Sequence, residues 1–136
     1  MVREIIRDPL ILAKPAEPAA GMDAFVARDL LDTLEANKDR CVGMAANMIG
    51  VSKRIIAIRD RAVMFVMYNP VIIRKEGAFE TEEGCLSLDG TRRATRYHRI
   101  TVAYQDQLLR KKIGVYEGWV AEIIQHEVDH CDGILI

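Results

Sequence analysis

The sequence predicts a segregated α+β fold in which small mixed or antiparallel sheets surround a C-terminal helix, with one amphipathic helix near the N-terminus. Two observations carry this expectation. Alternating, β-branched runs cluster between residues 53 and 104, and the 3.6-residue apolar rhythm of helices occurs only before and after them. A third bounds it: no linker, repeat or low-complexity segment divides the chain, so residues 1–136 read as one domain.

Each element has its own reason. Pro9, Pro15 and Pro18, followed by Gly21, keep residues 8–21 irregular or extended, an arm laid over the domain. From Met22 to about Asn37, Met22, Phe25, Val26, Leu30, Leu31 and Leu34 recur at helical spacing, with charges on the other face. Lys53 to Ile58 and Ala62 to Met67 are apolar runs joined at Arg59-Asp60-Arg61, the pattern of a hairpin, and Asn69-Pro70 then turns the chain. Val71 to Lys75 reads as a strand and Cys85 to Leu88 as a short one. Arg99 to Tyr104 alternates, with Ile100, Val102 and Tyr104 inward. Gly114 and Gly118 punctuate the next stretch. Trp119 to Cys131 is the second helix, and Gly133 stands where a left-handed C-cap is needed.

Composition removes several function classes. With 19 basic against 20 acidic residues and a net charge of -1, the chain lacks the basic excess that phosphate backbones demand, so nucleic acid is not an expected partner. Apolar stretches such as Val63 to Met67 fall far short of the roughly 18 residues that span a bilayer. The charged N-terminus has no continuous apolar leader segment, so the expected location is the cytoplasm. Three cysteines, an odd count, fit reduced thiols there. A chain of this length sustains a core without staples. A metal, if bound, serves chemistry.

The C-terminal helix reads Gln125-His126-Glu127-Val128-Asp129-His130. Histidines four apart lie one above the other on a helix face and can share one ion, while Glu127 reaches a water on that ion without being a ligand. A third ligand is required. Six residues follow His130 and none suits, because Asp132 is too close in sequence and Cys131 points about 100° around the helix. The candidates are therefore upstream: His98, Cys41, Cys85 and several carboxylates. Cys85 stands out in Glu82-Glu83-Gly84-Cys85-Leu86-Ser87, where glycine permits close backbone approach. A thiolate with two imidazoles suits zinc or ferrous iron.

Glu83-Gly84-Cys85-Leu86-Ser87 and Gln125-His126-Glu127-Val128-Asp129-His130, with Gly43-Met44-Ala45-Ala46 upstream, resemble in order and spacing the three signature motifs of the peptide deformylases. Asp8-Pro9-Leu10 through Ala16-Glu17-Pro18, and Arg96 to Tyr104, extend the resemblance over almost the whole chain. It implies a single divalent metal held by Cys85, His126 and His130, usually ferrous iron in the cell, with zinc or nickel as alternatives. The implied reaction removes the formyl group from the initiator methionine of nascent chains. Water activated on the metal attacks the formyl carbon, and Glu127 acts as general base and then acid. The backbone N–H of Leu86 is implied as an oxyanion donor, and Gly43, Met44 and Met48 as edges of the substrate groove. A cytoplasmic monomer acting on N-formylmethionyl peptides is expected.

Two departures qualify this. The family's first motif places a glutamine, an oxyanion donor, where this chain has Met48, whose thioether donates nothing. Asn47, one residue earlier, is expected to face the opposite way. The alternative implied is a low-activity or inactive homologue that binds metal and peptide or serves regulation. The family's usual C-terminal extension has no counterpart after Ile136, so ribosome docking is not expected. Cys41 and Cys131 read as buried fillers, His98 as a surface or packing residue, and Arg92 and Arg96 as solvated, unless one meets a peptide carbonyl or carboxylate near the site.

Overall fold

In this computed structural model, which describes residues 1–136, five strands form one antiparallel sheet in which each strand pairs with its neighbour in sequence. The strands are β1 (Gly43–Ala45), β2 (Ile55–Asp60), β3 (Val63–Cys85), β4 (Leu88–Gln105) and β5 (Lys111–Glu117); the helices are α1 (Pro9–Leu12), α2 (Ala24–Ala36) and α3 (Gly118–Cys131). The α+β class is as predicted. The expected small sheets are joined because β3 does not stop at Asn69-Pro70. The register slips between Tyr68 and Val71, where Pro70 has no N–H to give, and Asn69 takes a left-handed φ of 52°. Its amide accepts from the Ala19 N–H at 2.7 Å and donates to the Ala19 carbonyl at 3.0 Å and to Gln105 Oε1 at 2.8 Å. The predicted turn is thus a bulge that pins the N-terminal arm.

Strict alternation along β2 divides the interior in two. Ile55 and Ala57 pack towards α2 with Val26, Leu30 and Leu34; Ile56 and Ile58 pack towards α3 with Ile124, Val128 and Cys131. Each fully buried aliphatic side chain of this kind contributes about 1.5–3 kcal/mol before entropy is charged against it. Met22 and Phe25, counted in the helical rhythm, do not join the core: Met22 is exposed in the 3-10 turn Gly21–Asp23 that precedes α2, and Phe25, in the first turn of α2, is half-exposed.

The arm is as expected, with one addition. Asp8 accepts from the Leu10 N–H at 2.9 Å and Pro9 takes the first helical position, where its missing N–H costs nothing, so α1 forms within it. Further on, the Ala16 N–H donates to the Cys131 carbonyl at 2.8 Å and covers the end of α3. The short strand expected at Cys85 to Leu88 is instead the tight turn joining β3 to β4. The stretch punctuated by Gly114 is β5, an edge strand whose Ile113 and Val115 face outward. No helix is long and apolar enough to cross a membrane.

At the end of α3 the Gly133 N–H donates to the His130 carbonyl at 3.1 Å and the Ile134 N–H to the Asp129 carbonyl at 3.0 Å, the paired bonds of a Schellman cap. Gly133 has φ 77°, and a Cβ there would lie 2.4 Å from the Ala13 carbonyl oxygen. Gly133→Ala is therefore expected to cost about 2–3 kcal/mol, lowering the thermal midpoint by roughly 6–12 °C in a melting experiment. An unchanged midpoint would contradict this account of the cap.

Candidate metal centre

Helical spacing stacks His126 and His130 on the face of α3 turned towards the end of β3, with their Nε2 atoms 3.2 Å apart. Cys85, the last residue of β3, brings Sγ to 3.3 Å from His130 Nε2. The three ligand atoms all lie within 4.8 Å of one another, and both imidazoles are buried. One soft sulfur and two imidazole nitrogens, converging with no lysine or arginine among them, fit a divalent transition metal. His98 and Cys41, the other upstream candidates, do not join the cluster; His98 stacks on Phe79 with ring centroids 4.2 Å apart.

The cluster is held from outside. Glu83 Oε1 lies 2.8 Å from His126 Nδ1, which directs the Nε2 lone pair at the ligand site. Glu83 is itself gripped by Arg96, whose Nε lies 3.1 and 3.0 Å from its two oxygens and whose second nitrogen lies 2.7 Å from Oε1. Arg96 also donates to Asp129 at 2.7 Å. Only 4% of Arg96 is exposed, so the solvated reading of this residue is corrected: it meets carboxylates beneath the site. Burial opposes the charge on Glu83, but the bonds to His126 and Arg96 outweigh it and hold its pKa well below the usual range. Burial likewise works against a proton on His126, yet Cys85 and Glu83 raise its pKa to about 10, whereas burial and the His126 charge push His130 down to about 3. The two rings are thus pushed in opposite directions, His126 towards holding a proton and His130 towards losing one. A cation held by both rings needs each neutral at Nε2, so its binding would be linked to pH.

Beside the ligands opens a cavity of about 830 Å³. Glu127 lines it, 4% exposed, with Oε1 unpartnered and a pKa lifted to about 7 by burial. Gly43 is needed for this: a Cβ there would lie 2.6 Å from Ile123 Cγ2 and 2.9 Å from Glu127 Oε2. Gly43, Met48 and Leu86 also line the cavity, but Met44 does not. Alternation along β1 turns Met44 the other way, into the core against α2, so its expected place on the groove edge is corrected. The Leu86 N–H is donated to no group of the chain, and the Leu86 carbonyl accepts from Arg7 at 3.0 Å. The Ser87 N–H points at Cys85 Sγ across 3.4 Å.

Asn47 faces away from the cavity, as expected, although the segment is a 3-10 turn rather than extended. Its Nδ2 donates to the His130 carbonyl at 2.8 Å, so it fastens the last turn of α3. Cys131 is a buried filler as predicted. Cys41 is half-buried on the cavity wall, with its pKa pushed up to about 12 by burial and the nearby Glu127.

A family model described as polypeptide deformylase matches residues 2–136. A peptide deformylase of Clostridium beijerinckii is 49% identical over 136 residues, covering all of both chains. Among solved structures, the peptide deformylase of Thermus thermophilus aligns at 36% identity and a TM-score of 0.87, covering 99% of this chain and 83% of that one. A class I type b peptide deformylase of Acinetobacter baumannii bound to Met-Ala-Ser aligns at 28% identity and a TM-score of 0.89, covering 99% and 97%.

Glu83→Gln keeps the volume but weakens the grip on His126 and Arg96. It is expected to lower metal affinity about 10- to 100-fold in a competition titration against a chelator. Arg96→Met, which strands two carboxylates, is expected to destabilise the fold by about 3–5 kcal/mol in chemical denaturation.

Proposed function

Because the chain belongs to the polypeptide deformylase family, we propose that it is a metal-dependent hydrolase removing the N-formyl group from the initiator methionine of nascent polypeptides. The observation that carries this reading is the meeting of Cys85, His126 and His130 beside a buried, unpartnered Glu127 on the wall of one cavity. Cys85, His126 and His130 are the proposed ligands. The donor set suits ferrous iron, and the same ligands accept zinc or nickel.

A divalent cation in this site would supply Lewis acidity, polarising the formyl carbonyl and easing the deprotonation of a water beside it. Glu127 takes the proton of the attacking water, for which a pKa near 7 suits it, and returns that proton to the amine as the C–N bond breaks. Formate and a free amino terminus result. The free Leu86 N–H is the proposed donor to the oxyanion. Met48 offers no second donor, and the Asn47 amide is spent on the His130 carbonyl, so it does not substitute. One missing donor typically costs about 10²- to 10³-fold in rate. Met48 is therefore also the observation that favours the second reading, a homologue of low turnover that binds metal and peptide. Substrates of this class are made in the cytoplasm, and we place the protein there as a monomer.

The test is formate release from formyl-Met-Ala-Ser, with bound metal measured on the same sample. Glu127→Gln is expected to keep its metal and lose about 10²- to 10⁴-fold in turnover. Met48→Gln is expected to raise kcat by about 10²- to 10³-fold; no gain would show that position 48 does not face the oxyanion. Because the active form of Glu127 is the carboxylate, kcat/KM should rise with pH through the Glu127 pKa and fall below about 7. A profile flat from pH 5 to 8 would contradict its role as base.

A further inference from the structure

The sheet ends on one side at β5, which pairs with β4 alone. No hydrogen bond from the arm, a loop or a side chain reaches the main chain of residues 111–116. The backbone groups on the far side of β5 are therefore left to solvent, a template on which another strand can form. The face beside this edge is apolar. Val71, Ala103 and Ile113 stand in one cross-strand row and Thr101 and Val115 in the next, opposite in direction to Ile100 and Val102, which are buried against α3. Val71, Ile73, Ile113 and Val115 are each more than half exposed. Four such side chains grouped at one sheet edge are a patch of the kind that partners cover.

The sequence of β5, Lys111-Lys112-Ile113-Gly114-Val115-Tyr116-Glu117, is complementary to itself when reversed. Antiparallel pairing about a two-fold axis at Gly114 sets Ile113 opposite a second copy's Val115 and Lys111 opposite its Glu117. These four positions share one face, so the apolar row continues across the axis while opposite charges meet at both ends. Arg99 already holds Glu117 on that face at 3.1 Å. Centring the pairing on Ile113 would set Lys111 against Val115, and centring it on Val115 would set Ile113 against Glu117, so the charges select one register. Lysines often blunt an edge against pairing. Here they stand at one end of β5 only, and Ile113-Gly114-Val115 at its centre carries no charge.

We propose that the β5 edge is a docking surface for a second copy of this chain, joined antiparallel about Gly114 so that the two sheets become one. The contact is isologous and uses up β5 on both copies, so assembly stops at two. Gly43 of β1, at the other end of the sheet, borders the cavity, and pairing through β5 leaves that end open. One strand and a narrow apolar strip make a contact at the small, weak end of specific interfaces, for which a dissociation constant of about 10–100 µM is expected. Below that concentration the chain is the monomer of the proposed hydrolase, and the association does not depend on turnover.

Sedimentation equilibrium of the whole chain from about 2 to about 400 µM tests this, and the mass should rise from one chain to two across that range. Lys111→Glu, which sets like charges opposite each other, and Ile113→Lys, which breaks the apolar row, should each weaken the dimer about tenfold or more. Lys111→Glu combined with Glu117→Lys should restore association. All three positions are exposed, so the thermal midpoint should stay close to that of the wild type. A single-chain mass at every concentration, an assembly that grows beyond two, or a dimer indifferent to both single substitutions would overturn the proposal. Formate release per chain should be the same in wild type and variants, because none of these residues lines the cavity. A protein that dimerises as described but releases no formate would refute the hydrolase reading and leave the β5 interface standing.

Discussion

Arg96 carries a full charge into the interior from β4, and the groups that compensate it are Glu83 near the end of β3 and Asp129 on α3. Desolvating these groups costs several kcal/mol each, so the cluster adds little net stability. What it supplies is position. Glu83 is two residues from Cys85 and touches His126, and Asp129 precedes His130. One guanidinium therefore ties the strand that bears Cys85, the proposed sulfur ligand, to the helix that bears both imidazoles.

Around that tie the smaller constraints line up. Asn47 fastens the last turn of α3 through the His130 carbonyl, and the Schellman cap at Gly133 closes it on the same carbonyl. The turn after Cys85 is held from the other side by Arg7, which reaches the Leu86 carbonyl from the N-terminal arm. Gly43 leaves room for Glu127, which stays buried and unpartnered at its oxygen Oε1. A rigid ligand set beside one poorly solvated carboxylate is the arrangement that metal-assisted hydrolysis demands. At Met48 a side chain with no N–H stands on the same wall, so under the proposed hydrolysis the Leu86 N–H would be the remaining donor.

Much of this was legible in the sequence because it is periodic or local. His126, Glu127 and His130 announce themselves by helical spacing; Gly133 by its place after the last apolar residue of α3; Ile100 and Val102 by alternation. Features that depend on distant partners were not legible. Arg96 looks like one more surface arginine until β4 is folded over Glu83 and α3. Asn69 reads as a turn residue, and only the arm at Ala19 makes it a pin within a continuous strand. The β5 strand escaped notice because its β-branched residues face outward on an edge, and Met44 was misassigned because the direction of a three-residue strand cannot be read without its neighbours.

The most direct test of the central claim, that Arg96 and Glu83 bring Cys85 to the two histidines of α3 to hold one metal ion, is X-ray absorption on the zinc-loaded protein. The account predicts one sulfur at about 2.3 Å and two imidazole nitrogens at about 2.0–2.1 Å, with the sulfur lost in Cys85→Ser and one nitrogen lost in His126→Ala. A shell without sulfur in the wild type, or one whose sulfur survives Cys85→Ser, would contradict it.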